Sequence, residues 1–178
     1  MVNFTLSFKR AAIVLAAVFS FVSVNAQITV TGATPVGLNT TYTSFTNAGG
    51  LFAALNGATV TGNLVVTITA DVTNEAGTNG LNGNTWTSIT INPSGARTIQ
   101  GTLAGAALIN LTGADNVTFN GLNTGGNSLT ISNLSTSATS GTATIRFGSD
   151  ATSNVITNCS VLGSSTMAVT TNGGNIFF

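Results

Sequence analysis

The stretch from Leu108 to Gly121 reads LINLTGADNVTFNG and contains two short strand patterns joined by a turn. Apolar and polar residues alternate in Ile109-Asn110-Leu111 and again in Val117-Thr118-Phe119, which is typical of half-buried strands. Gly, Asp and Asn separate the two patterns, and these residues favour tight turns. The stretch therefore predicts two short strands with a corner at Asp115-Asn116.

The first strand pattern recurs further along the chain. Ile109-Asn-Leu111 matches Ile145-Arg-Phe147 and Ile176-Phe-Phe178, at a spacing of roughly 31–36 residues. Such a period suits a parallel β-helix with three short strands per coil, because each strand then pairs with its copy one coil later. We therefore predict an all-β fold of the β-solenoid type.

A corner pattern recurs as well. Three stretches share one order of residue types: an apolar residue, a polar residue, a residue that faces inward, two small or polar residues, and another apolar residue. They are Val117–Leu122, Leu129–Leu134 and Ile156–Val161. We interpret the two small or polar residues as an insertion that forms a corner, where Gly121 or Asn133 takes the left-handed conformation.

Strand patterns occur along most of the chain, separated by Gly, Asn, Asp and Ser. The complete set is 64–69, 88–91, 98–100, 107–111, 116–119, 129–131, 143–147, 154–161 and 175–178. An antiparallel sandwich is the rival fold, but it would show longer alternating strands and hairpin turns.

The residues before the first strand pattern divide into two segments. Residues 27–43 are a Thr-rich lead-in. In residues 44–57 the apolar side chains of Phe45, Ala48, Phe52 and Leu55 recur at helical spacing. We predict a short amphipathic helix there that caps the N-terminal end of the β-helix domain, which we place at residues 44–178.

The first 26 residues have the three parts of a secretory signal peptide. Lys9 and Arg10 are followed by the apolar run 11–24, and Ala26 provides a small residue at the expected cleavage point. The run is short for a transmembrane helix, which needs about 20 residues. We expect an extracellular or cell-surface protein with no membrane span once the signal peptide is removed.

The composition excludes several kinds of site. Charged residues make up 4% of the chain, and there is no His and one Cys, Cys159. Two Arg after the signal peptide cannot form a nucleic-acid groove. A Ser-His-Asp centre and the usual Cys/His zinc site lack their residues. We expect Cys159 to be a small buried side chain rather than a reactive thiol.

The run from Thr41 to Phe178 resembles the N-terminal region of large secreted β-helix proteins from Bacteroidetes, on stretches such as Asn63–Ile68, Ser88–Pro93 and Leu108–Gly121. The resemblance implies a right-handed parallel β-helix of the pectin-lyase type. Many such proteins end in a type IX secretion sorting domain, which this sequence does not contain. Because the sequence stops within a strand pattern, we expect it to be truncated at its C-terminus.

Two pairs of residues are candidates for binding. Asp115 and Asp150 fall at corresponding corners, where they could stack and bind Ca²⁺; the alternative is that each caps its own turn. Trp86 lies in a polar loop and Arg146 points outward from a strand, so both could contact a glycan. The alternatives are packing of Trp86 at the edge of the cap helix and simple solvation of Arg146.

No catalytic constellation is visible, and no cofactor other than Ca²⁺ is indicated. We predict a non-catalytic structural or adhesive module whose partners are surface glycans or further copies of itself. One alternative is the N-terminal part of a polysaccharide lyase or hydrolase with active coils downstream; another is a plain spacer. Ice binding is a minor alternative, since the Thr-x-Thr pairs fall at irregular intervals along the sequence.

Overall fold

The computed structural model describes residues 26–32, 38–168 and 171–178. The predicted signal peptide therefore lies outside the described residues, except for Ala26. The described chain has one helix, α1 (Leu51–Gly57), and fourteen short strands. The strands are β1 (Ile28–Gly32), β2 (Thr41–Tyr42), β3 (Gly62–Ile68), β4 (Val72–Glu75), β5 (Leu81–Asn82), β6 (Trp86–Pro93), β7 (Ala96–Gly101), β8 (Ala107–Thr112), β9 (Val117–Asn120), β10 (Ser128–Asn133), β11 (Ala143–Gly148), β12 (Val155–Thr157), β13 (Cys159–Gly163) and β14 (Gly174–Phe177).

Strand pairing from β3 onward follows a period of three. Sheet A has the order β12-β9-β6-β3-β1-β2, sheet B the order β13-β10-β7-β4, and sheet C the order β14-β11-β8-β5. Every pair after β3 is parallel, whereas β1 is antiparallel to both β2 and β3. The protein is therefore mostly β with parallel sheets, and the antiparallel sandwich is excluded because parallel pairs dominate. We call each set of three successive strands, one per sheet, a repeat.

The strand registers confirm one predicted repeat and correct the other. Ile145 pairs with Ile109 on one side and with Ile176 on the other, as the matching of these stretches predicted. The corner alignment was wrong, because Ile156 pairs with Phe119 rather than with Val117. It also matched β9 with β10, which belong to different sheets.

The corners themselves use other residues than the predicted ones. Leu122 and Asn123 after β9, and Asn158 between β12 and β13, have positive φ, whereas Gly121 and Asn133 do not. Gly121 is needed for a different reason: a Cβ there would lie 1.9 Å from the carbonyl oxygen of Asn158 in the next repeat. At this corner, close approach of two backbones rather than local turn geometry requires the glycine.

The core lies between the three sheets and is formed by rows of inward side chains. In sheet A one row runs from Val66 through Ile91 and Phe119 to Ile156, as the register places them opposite one another. The first three of these side chains are at most 1% exposed. Removing stacked apolar side chains from water in every repeat stabilises the fold, at about 25 cal/mol per Å² of apolar surface.

The N-terminal segment differs from its prediction in two ways. The helix starts at Leu51, not at residue 44, and Ala48 is exposed. Phe45 is nevertheless fully buried, because the turn before the helix brings its ring edge-on to Phe52 at 5.7 Å. The Thr-rich lead-in also contains a strand of sheet A, because every residue of β1 pairs with a residue of β3.

Among the described residues, no helix has the length and apolar character that crossing a membrane requires.

Candidate functional site

Trp86 is buried, as the packing alternative required, and not exposed for contact with a glycan. It begins β6, its side chain is 6% exposed, and its indole N–H donates a 2.7 Å hydrogen bond to the backbone oxygen of Asp115. The apolar part of the indole ring is buried, and its polar N–H group has a hydrogen-bond partner. A side chain held in this way cannot stack on a sugar ring.

Arg146 points outward and is exposed, as predicted. It lies on β11 in a row across sheet C, between Asn110 on β8 and Phe177 on β14. Its guanidinium carbon is 5.7 Å from the centre of the Phe177 ring, which is within cation–π distance. The Oδ1 atom of Asn110 is buried and accepts no hydrogen bond from the described residues.

The Arg146 row, defined as Asn110, Arg146 and Phe177, thus combines two recognition elements. A planar cation with several N–H donors suits a carboxylate or hydroxyl pair. An aromatic ring provides an apolar surface beside it, whereas the Oδ1 atom of Asn110 is buried and not open to a ligand. Sequence reasoning identified only Arg146, because its two neighbours lie about one repeat away on either side.

Asp115 joins successive repeats instead of capping its own turn. Its Oδ1 atom accepts hydrogen bonds from the backbone N–H of Thr152 at 2.6 Å and from the Thr152 hydroxyl at 2.8 Å. These bonds hold the pKa of the Asp115 carboxyl below its usual value, the backbone bond having the larger effect. With Trp86 bonded to its carbonyl oxygen, Asp115 connects one repeat to the next in both directions.

Asp150 is exposed and adopts a positive φ of 64° at the corner after β11. Within the ranges that the structure covers, no three His, Cys, Asp or Glu side chains cluster in a way that could hold a metal ion. Binding of Ca²⁺ between Asp115 and Asp150 stays a prediction.

Cys159 is half-buried on β13, and its thiol lies 3.2 Å from the carbonyl oxygen of Thr157. Burial raises the pKa of this thiol, and backbone hydrogen bonds oppose that effect. A raised pKa lowers the thiolate fraction, which is the reactive form.

Glu75 has a structural role that the sequence did not indicate. It is 2% exposed, and its carboxylate accepts hydrogen bonds from the backbone N–H groups of Phe45 (2.8 Å) and Thr46 (2.7 Å) and from the hydroxyls of Ser44 and Thr46. The group fixes the turn before α1 against the edge of sheet B. No local signal marks this role, because all its partners lie about thirty residues upstream.

The outer face of sheet A carries an uncharged row of β-branched side chains. The registers place five of them opposite one another on adjacent strands: Thr31, Val65, Thr90, Thr118 and Val155. Adjacent strands lie about 4.8 Å apart, so the row is regularly spaced. The sequence did not reveal it, since only the strand registers bring these residues together.

Comparison with protein-family models finds no match, and comparisons with curated proteins and with solved structures find none either. The resemblance to secreted Bacteroidetes β-helix proteins therefore stays a prediction based on the residues that suggest it.

Proposed function

We propose that this chain is a secreted or cell-surface module of the right-handed parallel β-helix type, with a structural or adhesive rather than catalytic role. The observation that supports this is the uninterrupted period of three in strand pairing from β3 to β14. Each repeat is then one coil, and the three sheets are the faces of the helix. The mechanism is passive, because a stiff stack of strands presents fixed side chains to a partner.

The partner we propose is a glycan that carries carboxylate groups, bound at the Arg146 row. Arg146 supplies the positive charge, and the ring of Phe177 lies within cation–π distance of the guanidinium. A guanidinium can donate two parallel hydrogen bonds to one carboxylate, which an ammonium group cannot do in the same fixed geometry. Neutral glycans would bind more weakly, since they lack the charge.

Binding of the secreted chain, residues 27–178, to polygalacturonate, alginate and a neutral β-glucan tests the proposal. We expect Arg146→Gln to weaken binding of the acidic polymers about 10–100-fold, the worth of a charge-assisted hydrogen bond. Arg146→Lys should recover only part of the loss. Thr130→Ala, on the outer face of sheet B, is the control and should bind normally. Equal binding by Arg146→Gln and the parent chain would reject the Arg146 row as the glycan site.

We also propose that residues 1–26 direct export and are removed. The supporting feature is the order of basic, apolar and small residues in that segment. Mass spectrometry of the exported product should find an N-terminus at Gln27. A mature protein that retains residues 1–26 and stays inside the cell would contradict both the export signal and the surface role.

Ice binding is a second candidate, favoured by the β-branched row on sheet A. The irregular spacing of Thr-x-Thr pairs argued against it, but strand register and not sequence spacing determines which side chains align. Thr and Val methyl groups at a regular interval on a neutral face could order water. Thermal hysteresis that is lost on Thr90→Lys would support this activity, whereas no hysteresis above buffer would end it.

A further inference from the structure

Each of the two arginines after the predicted signal peptide, Arg97 and Arg146, packs against a glycine two residues away. A Cβ atom added to Gly95 would lie 3.3–3.7 Å from Nη2, Cζ and Nη1 of Arg97. One added to Gly148 would lie 3.4–3.5 Å from Nε, Cζ and Nη2 of Arg146. Three atoms of a planar group can be this nearly equidistant from a point at that range only if the point lies off their plane. One face of the Arg146 guanidinium therefore covers the place where a side chain at residue 148 would begin.

The two guanidinium groups differ in the partners that they already have. Arg97 is half-buried, and its Nη1 atom donates a 3.0 Å hydrogen bond to the carbonyl oxygen of Ala96. Arg146 is exposed, and no group in the described part of the chain accepts a hydrogen bond from it. Its N–H donors are open to a ligand, whereas its face contacts Gly148 and the Phe177 ring lies 5.7 Å away.

The backbone at Gly148 does not itself require a glycine. Gly148 ends β11 and has no positive φ, unlike Gly95 and Gly113, whose φ values are 89° and 72°. The three atoms nearest to an added Cβ all belong to the flexible side chain of Arg146, and none belongs to the backbone. A longer side chain at this position would therefore displace the guanidinium and leave the strand in place.

The position of the guanidinium matters because binding must order a long side chain. A carboxylate forms two parallel hydrogen bonds with an arginine only when both groups have one relative orientation. Fixing a side chain that was free before binding lowers the affinity, and a side chain that is already held avoids part of this cost.

We propose that Gly148 is a positioning residue of the acidic-glycan site. Its missing side chain leaves the space in which the guanidinium of Arg146 packs before the ligand arrives. This inference rests on the function proposed for the Arg146 row and adds to it the residue that holds the cation in place.

The first test measures binding of the 27–178 chain with Gly148→Ile to polygalacturonate. We expect affinity to fall about 2–10-fold, because the branched side chain extends into the space of the guanidinium. Thr130→Ile is the matched control, since it places the same side chain on the outer face of sheet B, and it should bind normally. In the Arg146→Gln background, Gly148→Ile should cause no further loss, because the group that it displaces is already absent.

Stability separates this role from a role in folding. Gly148→Ile should be no less stable to urea than the parent chain, because a β-branched residue suits a strand better than glycine does. A loss of binding that accompanies a loss of stability would contradict the positioning role.

A second test does not need the glycan. Residues 27–178 contain two arginines, so their Nε–H groups give two signals in a nitrogen–proton NMR spectrum. We expect a nuclear Overhauser effect between the Nε–H of Arg146 and an α-proton of Gly148 in the parent chain, and none at residue 148 in Gly148→Ile.

The outcomes distinguish this inference from the glycan site itself. Absence of the nuclear Overhauser effect in the parent chain overturns the positioning role. Parent-like binding by Gly148→Ile, with Arg146→Gln weakened, overturns it as well but retains the glycan site. Parent-like binding by both variants rejects the glycan site, and this inference with it.

Discussion

The buried carboxylate of Glu75 gives the sharpest test of how this charge-poor chain is held together. Glu75→Gln keeps the shape of the side chain but replaces one oxygen with an amide nitrogen. In the parent structure Oε2 accepts three hydrogen bonds, from Ser44 and Thr46, and Oε1 accepts one, from the N–H of Phe45. The glutamine oxygen can replace Oε2, and its NH₂ group then faces the N–H of Phe45.

The size of the effect follows from these contacts. The glutamine variant loses the charge on every bond and leaves one buried backbone donor opposite another donor. An unsatisfied buried donor costs about 1–3 kcal/mol. We therefore expect Glu75→Gln to lower the free energy of unfolding by about 2–3 kcal/mol. Glu75→Ala, which leaves two backbone N–H groups without acceptors, should cost about 3–5 kcal/mol.

Urea unfolding followed by fluorescence measures these losses, because the single Trp86 is buried and reports on the native state. Thr73→Ala is the control: it lies on the same strand, is exposed, and should change stability by less than about 0.5 kcal/mol. If Glu75→Gln is no less stable than Thr73→Ala, the carboxylate does not anchor the turn before α1, and the N-terminal cap must be held by other contacts.

Three further predictions concern the corners and the thiol. Gly121→Ala should lower the free energy of unfolding in urea by about 1–3 kcal/mol, because the added methyl meets the backbone oxygen of Asn158. Gly57→Ala, with nothing within 4 Å, should leave stability unchanged or higher, and equal losses for both would contradict the packing. Because the pKa of Asp115 is lowered in the folded state, its contribution is present at neutral pH and is lost as the pH falls through that lowered pKa. Asp115→Asn should therefore be less stable than the parent at pH 6, and the difference should shrink as the pH falls through that lowered pKa. Iodoacetamide at pH 8 should modify Cys159 more slowly in the native protein than in urea, because burial raises the pKa of its thiol; equal rates would refute this.

The sequence predicted the strands best where apolar and β-branched residues are concentrated. Residues 64–69 and 107–111 are of this kind and correspond to β3 and β8, and the match of Ile109 with Ile145 and Ile176 is confirmed by the strand registers. Weaker stretches were missed. Val72–Glu75 contains one buried apolar residue followed by polar ones, and Leu81–Asn82 is too short to show any period.

The features that the sequence did not predict depend on contacts between residues that are distant along the chain. Trp86 follows a polar loop, so its local sequence indicated exposure, yet the carbonyl oxygen that its indole binds belongs to the next repeat. The β1 strand looked like a Thr-rich connection because its partner, β3, is distant along the chain and antiparallel. Glu75 and the row on sheet A depend on contacts about one repeat apart, which no window of neighbouring residues contains.

Asparagine side chains, rather than charged ones, form hydrogen bonds between successive repeats at several corners of this protein. At three corners an Asn Oδ1 atom accepts a backbone N–H from the preceding repeat: Asn127 from Gly95 at 2.7 Å, Asn133 from Leu103 at 3.0 Å, and Asn154 from Val117 at 2.9 Å.

An amide suits this task because it donates and accepts at once and carries no charge. The Nδ2 group of Asn133 donates back to the carbonyl oxygen of Leu103, so one side chain satisfies both polar groups of that residue. A carboxylate in place of Asn133 could accept from the N–H of Leu103 but could not donate to its carbonyl oxygen, which would lose that partner. Asparagine at these corners therefore links one repeat to the next without adding charge, in a chain of which charged residues make up 4%.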